Sequence, residues 1–212
     1  MTILKFPNDR VNNFSDAIFA IAITLLVLEI KVPTADEVQQ LGIAGLLSKR
    51  IPNFIGYLVS FFVTALYWRN HLQLFQFVKT IDNRLFWLNL WLLLFVVLMP
   101  FSTDLYSYFV GHNKAFVFYT LNLAAIGAMS YWMATYVTKK ENLTEQLGAI
   151  QTRWMRNRIL IGPIIFLLCV PVVWLSPWTG RLGFFLIFIV QTIGDRRVRR
   201  KMHMQGTTLV SA

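Results

Sequence analysis

The sequence predicts an all-α, polytopic membrane protein: six transmembrane helices in a single domain over residues 1–212. Three observations carry that prediction. The chain is 56% hydrophobic and only 14% charged, with a mean hydropathy of +0.55, whereas a soluble domain of this length carries about 25% charged residues. Its apolar residues gather into runs close to the ~20 residues that a helix rising ~1.5 Å per residue needs to cross the hydrocarbon. Its basic residues fall between those runs, most of them on alternate connections.

The opening residues, MTILKFPNDR, have no apolar stretch ahead of a small-residue cleavage site, so they do not read as a signal peptide. The first span is read over residues 14–32. Asp16 stands at its mouth, where a carboxylate costs free energy in a bilayer and marks a residue with a role. A simpler reading is a helix cap, with Ser15 or Asp16 accepting backbone N–H bonds. The connector 33–50 holds Asp36 and Glu37 and an amphipathic stretch at 38–47. The second span, 51–77, closes in the polar cluster Trp68, Arg69, Asn70 and His71, at the predicted depth of Asp16 and therefore its natural partner. His71 reads either as a hydrogen-bonded structural histidine or as a proton relay, since its charge changes near neutral pH.

The third span, 85–105, contains Pro100, which kinks or ends it. The fourth is 115–137. The fifth, 159–175, carries Pro163 and Pro171, and a tight connector leads to the sixth, 178–194. Residues 195–212 form a tail that is basic at first, then small and polar.

Charge distribution orients these spans. One side holds Lys5, Arg10, Arg69, Lys79, Arg84, Lys139, Lys140, Arg153, Arg156, Arg158, Arg196, Arg197, Arg199, Arg200 and Lys201, and the other only Lys31, Lys49, Arg50, Lys114 and Arg181. The excess of Lys and Arg belongs on the cytoplasmic side. That places both termini in the cytoplasm and the protein in the cell membrane. It also accounts for the net charge of +10 without a nucleic-acid partner.

Enzyme chemistry finds no support. No nucleophile elbow, P-loop or Gly-rich dinucleotide turn is present. The three histidines, His71, His112 and His203, stand alone, without a second His or Cys at ligand spacing, so no metal site and no cofactor are expected. The single cysteine, Cys169, sits in an apolar run and reads as packing.

The first span carries the strongest pattern. Phe14, Ile18, Ile21, Leu25, Leu28 and Val32 follow spacings of four and three and form one seam, with Thr24 at its flank. Such a seam packs on a neighbouring helix. Alternatively, symmetry copies gather it around an axis. Large aliphatic side chains then ring a narrow path that gates by excluding water and screens ions by the cost of stripping their hydration.

Arg10-x-x-x-Phe14-Ser15-Asp16, followed by AIFAIAITLLVLEI, resembles the signature of the transmembrane protein 175 family of potassium channels. Trp68-x-x-His71 at the end of the second span and Leu98-Met99-Pro100-Phe101-Ser102-Thr103 on the third strengthen the resemblance, which covers about half the chain. It implies a homotetramer with the first helix of each subunit on the axis, and a cation path without a carbonyl filter. Potassium is then the permeant ion, and the partners are further copies of the chain, the bilayer and monovalent cations. By position in the motif, Ile21, Leu25 and Leu28 match the family's apolar layers, with Ile21 as the main constriction, and Thr24 matches a hydroxyl position. Arg10, Phe14, Ser15, Asp16, Trp68 and His71 match the network that holds the first helix. Asn70 stands where a second His is frequent, so pH sensitivity carried by such a pair is not expected here.

Two other readings compete. One is a secondary transporter, proton-coupled through Asp16 and His71, with Pro100, Pro163 and Pro171 breaking helices at a substrate site. The other is a membrane protein that transports nothing and serves as an assembly partner.

Overall fold

A short strand, β1 (Lys5–Phe6), opens the computed structural model, which describes residues 5–30, 32–109, 111–140 and 149–176. It pairs antiparallel with β2 (Ile81–Asp82) in the register Lys5↔Asp82 and Phe6↔Ile81. Pro7 then starts α1 (Asn8–Leu25), and the Asn8 Nδ2 donates to the Val78 carbonyl at 2.6 Å. This tether explains a difference from the sequence reading. The helix begins at Asn8, not near residue 14, because the polar turn NDRVNN is anchored from outside. Beyond Leu25 the chain winds more tightly, as a 3-10 turn over Leu26–Glu29.

The long helix α2 (Ala35–Phe75) absorbs both the amphipathic stretch at 38–47 and the second span. Thr34 starts it with a capping box: its hydroxyl accepts from the Glu37 N–H at 3.4 Å, and the Glu37 carboxylate accepts from the Thr34 N–H at 3.1 Å. Gly42, at φ 64° and ψ 165°, breaks the run in a conformation that L side chains rarely adopt. Arg50 reaches back across this break to Glu37 at 3.1 Å.

The third span is two helices, α3 (Asn83–Val97) and α4 (Met99–Tyr108), split at Leu98 as Pro100 requires. The Ser102 and Thr103 hydroxyls donate to the Met99 carbonyl at 2.9 and 2.8 Å. Both hydroxyls bond back to the residue that precedes Pro100. The helices α5 (Asn113–Lys139) and α6 (Ala149–Leu175) complete the described chain. Pro163 and Pro171 lie inside α6, which runs through both. Among the described residues, five segments are long and apolar enough to cross a membrane: Asn8–Leu28, Ala35–Phe75, Asn83–Tyr108, Asn113–Lys139 and Arg156–Leu175. The predicted sixth span, 178–194, and the tail 195–212 lie outside the described residues.

The core centres on α5, which packs on α3, α4 and α6, while α1 rests on α3 and α2. Phe19, Phe75, Phe116, Leu123, Ile126 and Phe166 are fully buried there. At the α5–α6 crossing a Cβ built on Gly127 would stand 2.4 Å from the Pro163 Cγ and 3.0 Å from the Tyr67 hydroxyl. A stiff ring cannot yield as a flexible side-chain end would. Gly127→Ala is therefore expected to lower stability by about 1–3 kcal/mol, the usual scale of overpacking, read as a fall in melting temperature in detergent. An unchanged melting temperature would contradict this packing.

Asp82 caps α3 by accepting from the Leu85 N–H at 2.9 Å. It also accepts from the Tyr136 hydroxyl, and from Lys140 at 3.1 Å. Burial alone would raise its carboxyl, but these bonds outweigh it and hold Asp82 below the ordinary carboxylate value of 3.8. The folded state therefore gains from ionised Asp82 above about pH 4, and that gain disappears as pH falls through the depressed value. Asp82→Asn is expected to cost stability at neutral pH and to flatten the acid limb of the melting profile. An acid limb of unchanged slope would remove Asp82 as its source.

Candidate functional site

The faces of α1 have opposite fates. Val11, Ser15, Phe19, Ala22 and Leu26 recur at spacings of four and three and are buried against the rest of the subunit. The other side carries Phe14, Ala17, Ala20, Ile21, Thr24, Leu25 and Leu28, all exposed. Ile21 is 54% exposed, Leu25 40% and Leu28 70%. Only Ile18 among the inner residues of the seam packs partly against the core. Among the described residues no neighbouring helix covers the apolar seam.

Winding shapes this face. In the 3-10 turn three residues complete a revolution, so residues three apart eclipse. Leu28 is brought over Leu25 along the helix. Thr24, itself exposed, donates its hydroxyl to the Ile21 carbonyl at 2.9 Å.

Two links fix the buried side. Ser15 donates to the Val11 carbonyl at 2.8 Å, so it is a mid-helix residue bonding back one turn and not a cap. Its oxygen accepts from the Asn89 Nδ2 at 2.8 Å, and the Asn89 carbonyl oxygen meets the His71 Nε2 at 2.9 Å. An amide oxygen only accepts, which assigns the proton to Nε2. The His71 ring stacks on Phe75 at 4.2 Å and tilts against Phe19 at 5.6 Å, and its Nδ1 is buried without a hydrogen-bond partner. A second proton there would meet no acceptor among the described residues, which disfavours a relay. The second link joins the Trp68 Nε1 to the Asp16 carboxylate at 2.8 Å. Asp16 thus does not cap α1 either; its helix starts two turns earlier.

The structure gathers Ser15, Asp16, Trp68 and His71 at the α1–α2–α3 junction, as two separate links. It does not bring in Arg10 or Phe14. Both are exposed, and Phe14 lies seven residues before Ile21 on the same side of the helix. Asn89 is the residue the sequence reading missed; its partners are 18 and 74 positions away. Its one signal was a polar residue in the run LFWLNLWLLL. Asn70 is buried beside His71 in the chain. The helix breaks expected of a transporter at Pro163 and Pro171 are not found, since α6 continues through both.

The family model described as the endosomal/lysosomal potassium channel TMEM175 matches residues 10–100, which include every residue of these two links. A potassium channel of Streptomyces collinus is 34% identical over 175 residues, covering 79% of this chain and 82% of that one. A potassium channel of Chamaesiphon minutus is 31% identical over 173 residues, covering 80% and 85% respectively. The crystal structure of a lysosomal potassium-selective channel TMEM175 homolog from Chamaesiphon minutus superimposes with a TM-score of 0.76 at 29% identity, covering 88% of this chain and 96% of that one. With the motif residues in place on a shared helical scaffold, the chain belongs to the TMEM175 family, a family of ion channels and not of enzymes.

Proposed function

We propose that this chain is a potassium-permeable channel in which copies of α1 surround a central path and present Ile21, Thr24, Leu25 and Leu28 to it. One observation carries the reading. The aliphatic face of α1 is left uncovered by the other described helices, while the opposite face is fastened by the Ser15–Asn89–His71 and Asp16–Trp68 links. Lipid would satisfy an apolar face by itself, but this one lies on the motif helix and carries the Thr24 hydroxyl among its aliphatic tiers, and four copies around an axis is the arrangement proposed. Exposed Ala17 and Ala20 allow a close approach.

Permeation then follows from hydration. An aliphatic ring offers no oxygen atoms to replace an ion's water, so it penalises the more tightly hydrated ion more. Potassium loses water at lower cost than sodium and is favoured, though modestly, because neither ion is compensated. Ile21, the tier nearest the cytoplasm, is the main constriction. The Thr24 lone pairs give a passing ion or an ordered water its one oxygen contact in this stretch. The cytoplasmic excess of Lys and Arg places both termini inside the cell, with the protein in the cell membrane.

The test is passive flux. Proteoliposomes carrying the purified protein and a potassium gradient are expected to discharge it once a protonophore supplies the compensating charge, with no imposed proton gradient and no co-transported solute. No discharge, or discharge that requires a proton gradient, overturns the reading. Cysteine at position 28 in a Cys169→Ser background provides the geometric arm: oxidation is expected to cross-link subunits through the axis.

A further inference from the structure

We propose that the cytoplasmic ends of α3 and α5 form a headgroup site for an anionic phospholipid of the inner leaflet, with Arg84 as its principal ligand. Arg84 is exposed, and its guanidinium lies over the Tyr136 ring at 5.1 Å from the centroid. The Lys140 Nζ stands 4.8 Å from the same centroid and donates to the Tyr136 hydroxyl at 2.7 Å. Lys140 also pairs with Asp82 at 3.1 Å, and the side chain of Asp82 is only 13% exposed. Asp82 is thus turned inward and spent on Leu85, Tyr136 and Lys140. Among the described residues Arg84 forms no ion pair. Arg84 and Lys140 thus stand on the same tyrosine ring at the ends of α3 and α5, with exposed Lys139 next to Lys140 in the chain.

Depth identifies the occupant. Trp87 follows Arg84 by three residues on α3, and Trp132 precedes Tyr136 by four on α5. Both stand roughly 5 Å further into the bilayer at ~1.5 Å per residue. They are 54% and 55% exposed. Indole rings uncovered just below a cationic cluster suit the boundary between phosphate and acyl chain. A soluble polyanion would meet the cations but not the rings; a phospholipid meets both. The flat guanidinium, held on the tyrosine face, leaves its N–H edge to a phosphodiester. The inner leaflet, where anionic lipid concentrates, is the one the basic excess faces in the proposed topology.

The experiment is native mass spectrometry of the protein released from vesicles of equal phosphatidylcholine and phosphatidylglycerol. Phosphatidylglycerol is expected to be retained preferentially, and Arg84→Gln to lower that preference about fivefold, the scale of one basic residue at a membrane surface. Arg84→Lys should restore part of it. Lys114→Gln, which removes an exposed outer charge, is expected to change nothing. Equal retention of both lipids, or equal losses in Arg84→Gln and Lys114→Gln, overturns the site. So does displacement of the lipid by free glycerol phosphate at low millimolar concentration, which would make the cluster a soluble-anion site. Lipid retention does not require conduction, so failure here leaves the channel reading standing, and failure of flux leaves the headgroup site standing.

Discussion

Replacing Ile21 by asparagine is expected to raise sodium flux in proteoliposomes by about tenfold or more and to bring the potassium-to-sodium ratio close to unity. The expectation rests on where the selectivity originates. An aliphatic tier discriminates only because neither ion finds a substitute for its water. An amide at that tier supplies an oxygen and wets the neck, so the dehydration cost falls for both ions, and most for sodium. A tenfold change needs only about 1.4 kcal/mol off the barrier, well below the cost of the dehydration it relieves. Ile21 is 54% exposed within the subunit, and its replacement leaves the buried face of α1 intact. The effect is therefore separable from folding by a melting curve. If Ile21→Asn conducts with unchanged ratios, the constriction lies elsewhere. Leu25→Asn and Leu28→Asn, measured in parallel, would then locate it.

Asn89→Leu is the second large effect. Asn89 is 1% exposed and uses both ends of its amide, donating to Ser15 and accepting from His71. Leucine fills the volume and leaves the His71 N–H without an acceptor in an apolar surround. One orphaned buried donor costs about 1–3 kcal/mol, although hydrogen bonds between membrane helices often measure nearer ~0.6 kcal/mol. For a chain of this size each kcal/mol moves the melting temperature by about 2–4 °C. A fall of several degrees is expected, with a smaller one for Ser15→Ala, which keeps the His71–Asn89 bond. The double variant should cost less than the two singles combined, because they share one chain of bonds. Additive losses would mean that the three residues do not act together. Flux gives the functional arm: α1 loses its tie to α3 and its tiers lose alignment, so potassium preference is expected to weaken even though no tier residue is altered.

The seam from Phe14 to Leu28 was legible in the sequence because it is local. Spacing within one helix decides which side chains share a face, and the structure keeps Phe14, Ile21, Leu25 and Leu28 together and uncovered. The motif pair Asp16 and Trp68 was legible through matching depth on two helices, and the structure joins them at 2.8 Å. What could not be read was anything set by distant partners. Asn89 gains its meaning from residues on two other helices, so its own neighbourhood offers only an unexpected amide. The start of α1 was misjudged for the same reason. Polarity at residues 8–13 resembles a loop until the β1–β2 ladder and the Asn8 bond to Val78 hold it in place. The early start of α2 was available locally, since Thr34-Ala-Asp-Glu37 spells a capping box. Only the reversal of φ at Gly42 needed coordinates.

The 3-10 turn at Leu26–Glu29 has a mechanical corollary. It rises ~2.0 Å per residue where an α-helix rises ~1.5 Å. Rewinding those four residues draws the far end of the helix inward by about 2 Å and swings Leu28 about the axis by tens of degrees, while the turns fastened at Ser15 and Asp16 stay still. In the proposed conduit the outermost tier then acts as an adjustable iris, and the tier at Ile21 as its fixed stop.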